Sequence, residues 1–112
     1  MAKWSNNKYD RVTTNGVIAR TVTPGVNFMI VAVKLAMNLT GGTAENFVVS
    51  VDSHVGPTYD IVLFTQDMED VKDLYWSPDK DMTFQDGDSI VMTYANTGER
   101  VYGLETIWRQ AI

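Results

Sequence analysis

His54 is the single histidine of the 112 residues, and in Asp52-Ser53-His54-Val55-Gly56-Pro57 it stands beside a serine and a carboxylate, the groups that nucleophilic hydrolysis uses. A working triad needs the three side chains in one hydrogen-bonded line, and near neighbours in a single turn do not converge that way. His54 is therefore read as a loop residue. Eight carboxylates between Asp67 and Asp88 face only Lys72 and Lys80, giving that segment a charge of −6. Their spacing lacks the alternating Asp/Asn ligands and closing Glu of a calcium loop, and nothing in it fixes two of them across a cleft for glycoside hydrolysis. A solvated acidic rim that keeps strand edges apart is the simpler reading. Gly41-Gly42 lacks the Lys-Ser/Thr and the helix start of a phosphate loop. With no cysteine there is no disulfide and no thiolate metal site. The expectation is a chain that is not an enzyme, with no catalytic residue, no cofactor and no metal.

Aromatic and basic residues point instead to binding. Trp4, Trp76 and Trp108 accompany five tyrosines, and Tyr75 and Trp76, adjacent in a strand, must point to opposite faces. One of that pair is a candidate for exposure and for stacking on a sugar ring, whereas Trp108 is more simply a core residue. The first twenty residues carry +3 from Lys3, Lys8, Arg11 and Arg20 against Asp10, and the remainder carries −8. Residues 1–14 are read as an extended arm whose Lys3, Trp4, Lys8, Tyr9 and Arg11 dock on an acidic neighbour, ahead of one domain over 15–112. The net charge of −5, with nine Lys and Arg, excludes nucleic acid as the main ligand. Residues 26–39 are interrupted by Lys34 and fall short of the ~20 apolar residues of a membrane span. The polar start lacks the apolar core of a secretory signal.

The elements that would position these groups are strands. Apolar periodicity is close to two, β-branched and aromatic residues dominate, and Asn, Asp, Gly and Pro punctuate the runs. About eight strands follow, at 17–23, 27–38, 47–52, 59–65, 71–76, 82–84, 89–95 and 99–108. One helical turn, capped by Asp67, is expected at 66–70. A loop at Asn96-Thr97-Gly98 predicts a hairpin in which Met92 faces Tyr102, Ile90 faces Leu104 and Tyr94 faces Arg100. The fold class is an all-β, single-domain, jelly-roll-like antiparallel sandwich. Strand 26–39 is apolar on both faces, and 59–64 repeats the pattern, more strand surface than one core absorbs. Phe28, Ile30, Val62 and Phe64 on those surplus faces are expected to meet another subunit.

Lys3-Trp4-Ser5-Asn6-Asn7-Lys8-Tyr9, the apolar run through Leu39-Thr40-Gly41-Gly42, and Asp86 to Thr97 followed by Val101-Tyr102-Gly103-Leu104 together resemble the small decoration, cement or staple proteins of tailed-phage capsids. The length is similar to that of the staple proteins of short-tailed Salmonella phages. The resemblance implies a jelly roll made in the host cytoplasm and placed on the capsid exterior. There it would clamp neighbouring major capsid subunits as a dimer or trimer, with no catalysis, nucleic acid or membrane involved. The alternative expectation is a carbohydrate-binding or receptor-binding sandwich module of a phage tail or enzyme, using Trp76 or Tyr75.

Overall fold

The period-two runs form nine strands in the computed structural model, which describes residues 3–112. These are β1 (Lys8–Thr14), β2 (Ile18–Val22), β3 (Phe28–Met37), β4 (Asn46–Asp52), β5 (Ile61–Asp67), β6 (Asp73–Trp76), the short β7 (Thr83–Phe84), β8 (Ser89–Tyr94) and β9 (Tyr102–Gln110). One sheet runs β1-β9-β3-β6, with β7 also on β3, and the other runs β2-β8-β4-β5. The pairings nest: β1 with β9, β2 with β8, β3 with β6 and β4 with β5. They describe one long antiparallel ribbon, closed between β4 and β5 and rolled so that β3 meets β9 and β4 meets β8. That is the jelly-roll arrangement. Between the sheets lie Phe28, Val33 and Leu35 of β3, Phe47 and Val49 of β4, Ile90 and Met92 of β8, and Leu104 of β9, with Met68 inserted from the turn after β5.

The doubly apolar strand is explained by one extra residue. Ile30 pairs with Trp108 but Ala32 pairs with Ile107, so Val31 is a bulge, and the inward face changes parity there. Phe28 and Ile30 point into the core before it, Val33, Leu35 and Met37 after it. The expectation that Phe28 and Ile30 meet another subunit is thereby corrected: they are 0% and 2% exposed inside their own chain. In β5 the register also slips, with Phe64 opposite Val49 and Val62 opposite Ser50, which leaves Leu63 as the extra residue. Here the outcome is divided. Phe64 turns inward and stacks on Trp76 at 5.5 Å, while Val62 stays exposed.

Two further expectations are corrected. Strands β8 and β9 are not a hairpin, because they lie in opposite sheets. Ile90, Met92, Tyr102 and Leu104 do share one apolar surface, but they meet across the core instead of side by side. The Thr106 hydroxyl reaches the Met92 sulfur at 3.6 Å. Nor is the N-terminal stretch a free arm. β1 pairs with β9 along its whole length, and residues 3–5 make further backbone contacts with residues 110–112. Ser5 N–H donates to the Gln110 carbonyl at 2.8 Å, Ile112 N–H donates to the Lys3 carbonyl at 3.0 Å, and Trp4 bridges Ala111. Backbone donors and acceptors on the rim of β9 would otherwise lack protein partners, so the chain start completes the sheet.

Each open side of the sandwich has its own closure. Arg20 of β2 donates through Nε and Nη2 to the Asp10 carboxylate of β1, at 2.8 and 2.7 Å, joining the two edge strands on one side. The Phe64 and Trp76 rings join β5 and β6 on the other. Ile30→Ala is expected to destabilise the fold by about 2–5 kcal/mol, from lost transfer energy and a cavity. Val62→Ala is expected to stay within about 0.5 kcal/mol of the parent. Urea denaturation of both variants checks the inward and outward assignments.

Candidate functional site

The two outer sheet faces carry different chemistry. On the first sheet the register lines Arg11, Glu105, Lys34 and Tyr75 in one row across β1, β9, β3 and β6. Arg11 is ion-paired to Glu105, Lys34 Nζ lies 3.2 Å from the same carboxylate, and the Arg11 guanidinium sits 4.7 Å over the Tyr9 ring. The Arg11 hydrogen bond, and then the Lys34 contact and the two cationic charges, hold the Glu105 carboxyl below its ordinary range against a smaller opposing effect of burial. The next row is Thr13, Gly103, Ala36 and Asp73. Its small central residues leave a shallow trough of about 440 Å³ between Arg11, Lys34 and Glu105. Tyr9 and Tyr75 stand exposed toward opposite edges of this face.

The second sheet's outer face is uncharged at its centre. Thr21, Val91, Ser50 and Val62 form one row across β2, β8, β4 and β5, and Ala19, Thr93, Val48 and Thr65 form the next. None of these eight carries a charge, although the chain is −5 overall. Val62 is 61% exposed. Asp52 and Asp60 mark one end of the face, beside a groove of about 410 Å³ that also takes in Ser50, Val62 and Val91.

Of the expected contact residues, the structure brings Tyr9 and Arg11 together on the first sheet's outer face. Lys8 falls on the other side of β1, and Trp4 is half-buried beside Asn27, Phe84 and Ala111. Lys3 is exposed, with its backbone tied to Ile112. Trp76 is occupied by its stack on Phe64, which leaves Tyr75 as the exposed member of that pair. No helical turn forms at 66–70: Gln66 and Asp67 end strand β5, and the Asp67 carboxylate accepts from Glu69 N–H at 2.9 Å in the turn that follows.

His54 does find a carboxylate, but not Asp52. Its Nδ1 lies 2.6 Å from Oδ1 of the buried Asp88, and Asp88 also accepts from the backbone N–H of His54 and of Gln85, each at 3.0 Å. Ser53 Oγ accepts from Val55 N–H, so the three neighbours form no triad. Gly87 makes room for this pair: its φ is +96° and a Cβ there would sit 2.9 Å from His54 Cβ. Burial pushes the Asp88 carboxyl up, but the hydrogen bonds from the His54 ring and the two backbone N–H groups outweigh it, and the net shift is downward. Among the described residues no three His, Asp or Glu converge as a metal site, and no helix is long and apolar enough to cross a membrane.

Sequence reasoning places Asn96 in a loop and Arg100 opposite Tyr94, whose hydroxyl it does reach at 2.6 Å, but misses that both residues are buried. The Asn96 amide donates to the carbonyls of Asn15, Gly16 and Arg100, and its oxygen accepts from Arg100 N–H. The available signal was Asn96-Thr97-Gly98 itself, which reads equally as a hairpin loop or as a crossing turn. A scan against protein-family models matches no family, and a search of curated proteins returns no relative.

Asp88 and Glu105 both have depressed folded-state pKa values, so their contribution to stability is complete above the unfolded-state range and is lost as pH falls through the folded values. Stability is expected to hold down to about pH 5 and to drop below about pH 4. Asp88→Asn should cost about 1–3 kcal/mol at neutral pH and flatten part of that acid-side fall. Urea denaturation from neutral pH into acid reads both effects.

Proposed function

We propose that this chain is a structural protein of a phage virion, binding the capsid exterior and clamping neighbouring major capsid subunits as a dimer or trimer. The observation that carries the reading is the uncharged outer face of the second sheet, eight residues across four strands in an otherwise acidic chain. A face without bases offers nothing to release phosphate counterions, and without exposed rings it offers nothing for a sugar to stack on. Its Val and Thr side chains suit the surface of another folded protein, where burial contributes ~25 cal/mol per Å² of apolar area. Bridging two subunits needs two surfaces, and the Tyr9 and Arg11 face lies on the opposite side of the sandwich. The jelly-roll topology agrees with the resemblance to decoration proteins.

Val62→Lys and Thr93→Lys place a charge on this face without touching the core. Both variants are expected to keep the parent's thermal stability and to lose cosedimentation with capsids by at least about tenfold in affinity, ~1.4 kcal/mol. Unchanged cosedimentation, or absence of the protein from purified virions by mass spectrometry, overturns the clamp.

A second reading has its own observation. Tyr75 is 65% exposed in line with Lys34 and Glu105, with Asp73 on the same face, which gives a ring for stacking beside polar groups for sugar hydroxyls. A carbohydrate-binding role predicts saturable ligand binding on a glycan array, abolished by Tyr75→Ala and unaffected by Val62→Lys.

A further inference from the structure

Arg100 is 4% exposed, yet among the described residues no carboxylate pairs with it. Its Nη1 donates to the carbonyls of Leu39 and Val71, at 3.2 and 2.8 Å, and its Nη2 donates to the Tyr94 hydroxyl at 2.6 Å. All three acceptors are neutral, so a full positive charge is buried without a counter-charge. The Nε–H group has no protein acceptor among the described residues. It is not sealed off either, since the one fully buried side-chain nitrogen or oxygen without a partner there is Trp108 Nε1. Beside the guanidinium lies a cavity of about 190 Å³, lined by Thr40, Gly42, Thr43, Tyr94 and Gly98 as well as Arg100. Gly41 packs against the guanidinium so closely that a Cβ there would lie 2.6 Å from Cζ. Only a glycine at position 41 admits the guanidinium this closely, and Gly42 and Gly98, where an added Cβ meets nothing within 4 Å, leave the open space beside it.

We propose that this cavity binds a carboxylate group, with Arg100 supplying the counter-charge through its Nε–H. A planar carboxylate matches the planar guanidinium in geometry. A monoanion is favoured over a dianionic phosphate because the chain is −5 and the segment from Asp67 to Asp88 is −6. The volume equals that of about six water molecules, enough for a short carboxylate-bearing side chain or a small free acid and too little for a large ligand. This site stands independently of the capsid reading.

The test follows the Arg100 Nε–H resonance of the isotope-labelled full chain during titration with sodium acetate, against sodium chloride at equal ionic strength. A saturable shift is expected, with half-saturation at roughly 1–10 mM. Gly42→Leu and Gly98→Leu add bulk at the cavity's lining from positions where an added Cβ meets nothing within 4 Å, so no neighbouring atom has to move for it, and thermal denaturation checks that each variant is folded. Both are expected to weaken acetate binding by about tenfold or more. A glutamate blocked at both backbone ends forms the second arm: tighter binding than acetate assigns the ligand to a partner's side chain, and weaker binding assigns it to a small free acid. A shift that fails to saturate with either probe overturns the site. So does preference for inorganic phosphate, or acetate binding by the filled variants as tight as the parent's.

Discussion

The crossing between β8 and β9 is the constraint on which the rest of the sandwich depends. A chain leaving one sheet must enter the other without abandoning its backbone polar groups in the core, and here a buried amide and a buried guanidinium satisfy them. Asn96, at φ +49°, turns the chain and holds the loop that joins β1 to β2. Arg100 then collects carbonyls from the segments after β3 and before β6. Through these two residues one end of the roll is tied together, and the inward faces of β8 and β9 are fixed opposite each other. The apolar core closes against this corner, where the carbonyls of Gly16, Leu39, Val71 and Arg100 all have side-chain donors.

The strand pattern was legible from sequence because alternation reports which side chains face inward. It does not report which strand lies next door. Ile90, Met92, Tyr102 and Leu104 point to one apolar surface whether their strands are paired or opposed, so the hairpin and the crossing could not be told apart by pattern. β1 reads as an arm because its bases and aromatics suit docking on an acidic neighbour, and an edge strand can carry the same residues. The bulge at Val31 was hidden for a different reason: one extra residue makes two half-strands of opposite parity look like a single strand greasy all round. Surplus apolar surface is thus smaller in β3 than the alternation suggests, and Val62 remains exposed. At the candidate sites, the opposed directions of Tyr75 and Trp76 were readable, whereas the partnership of His54 with Asp88, 34 positions away, was not.

The outer faces show how one architecture separates holding together from holding on. Inward residues are apolar and closely packed, and the edges are secured by an ion pair on one side and a ring stack on the other. Neither closure draws on the central residues of the outer faces. Those faces are consequently free to differ, one networked by Arg11, Glu105 and Lys34 and the other neutral. Substitution there changes what the protein touches with little effect on whether it folds.

The two chain ends run side by side in opposite directions, from the Lys3 and Ile112 bond into the β1 and β9 ladder. Tension applied through those ends would open the ladder rung by rung, as a zip opens, and resistance would be low at every instant. Along its own thread a molecule of this build yields one rung at a time.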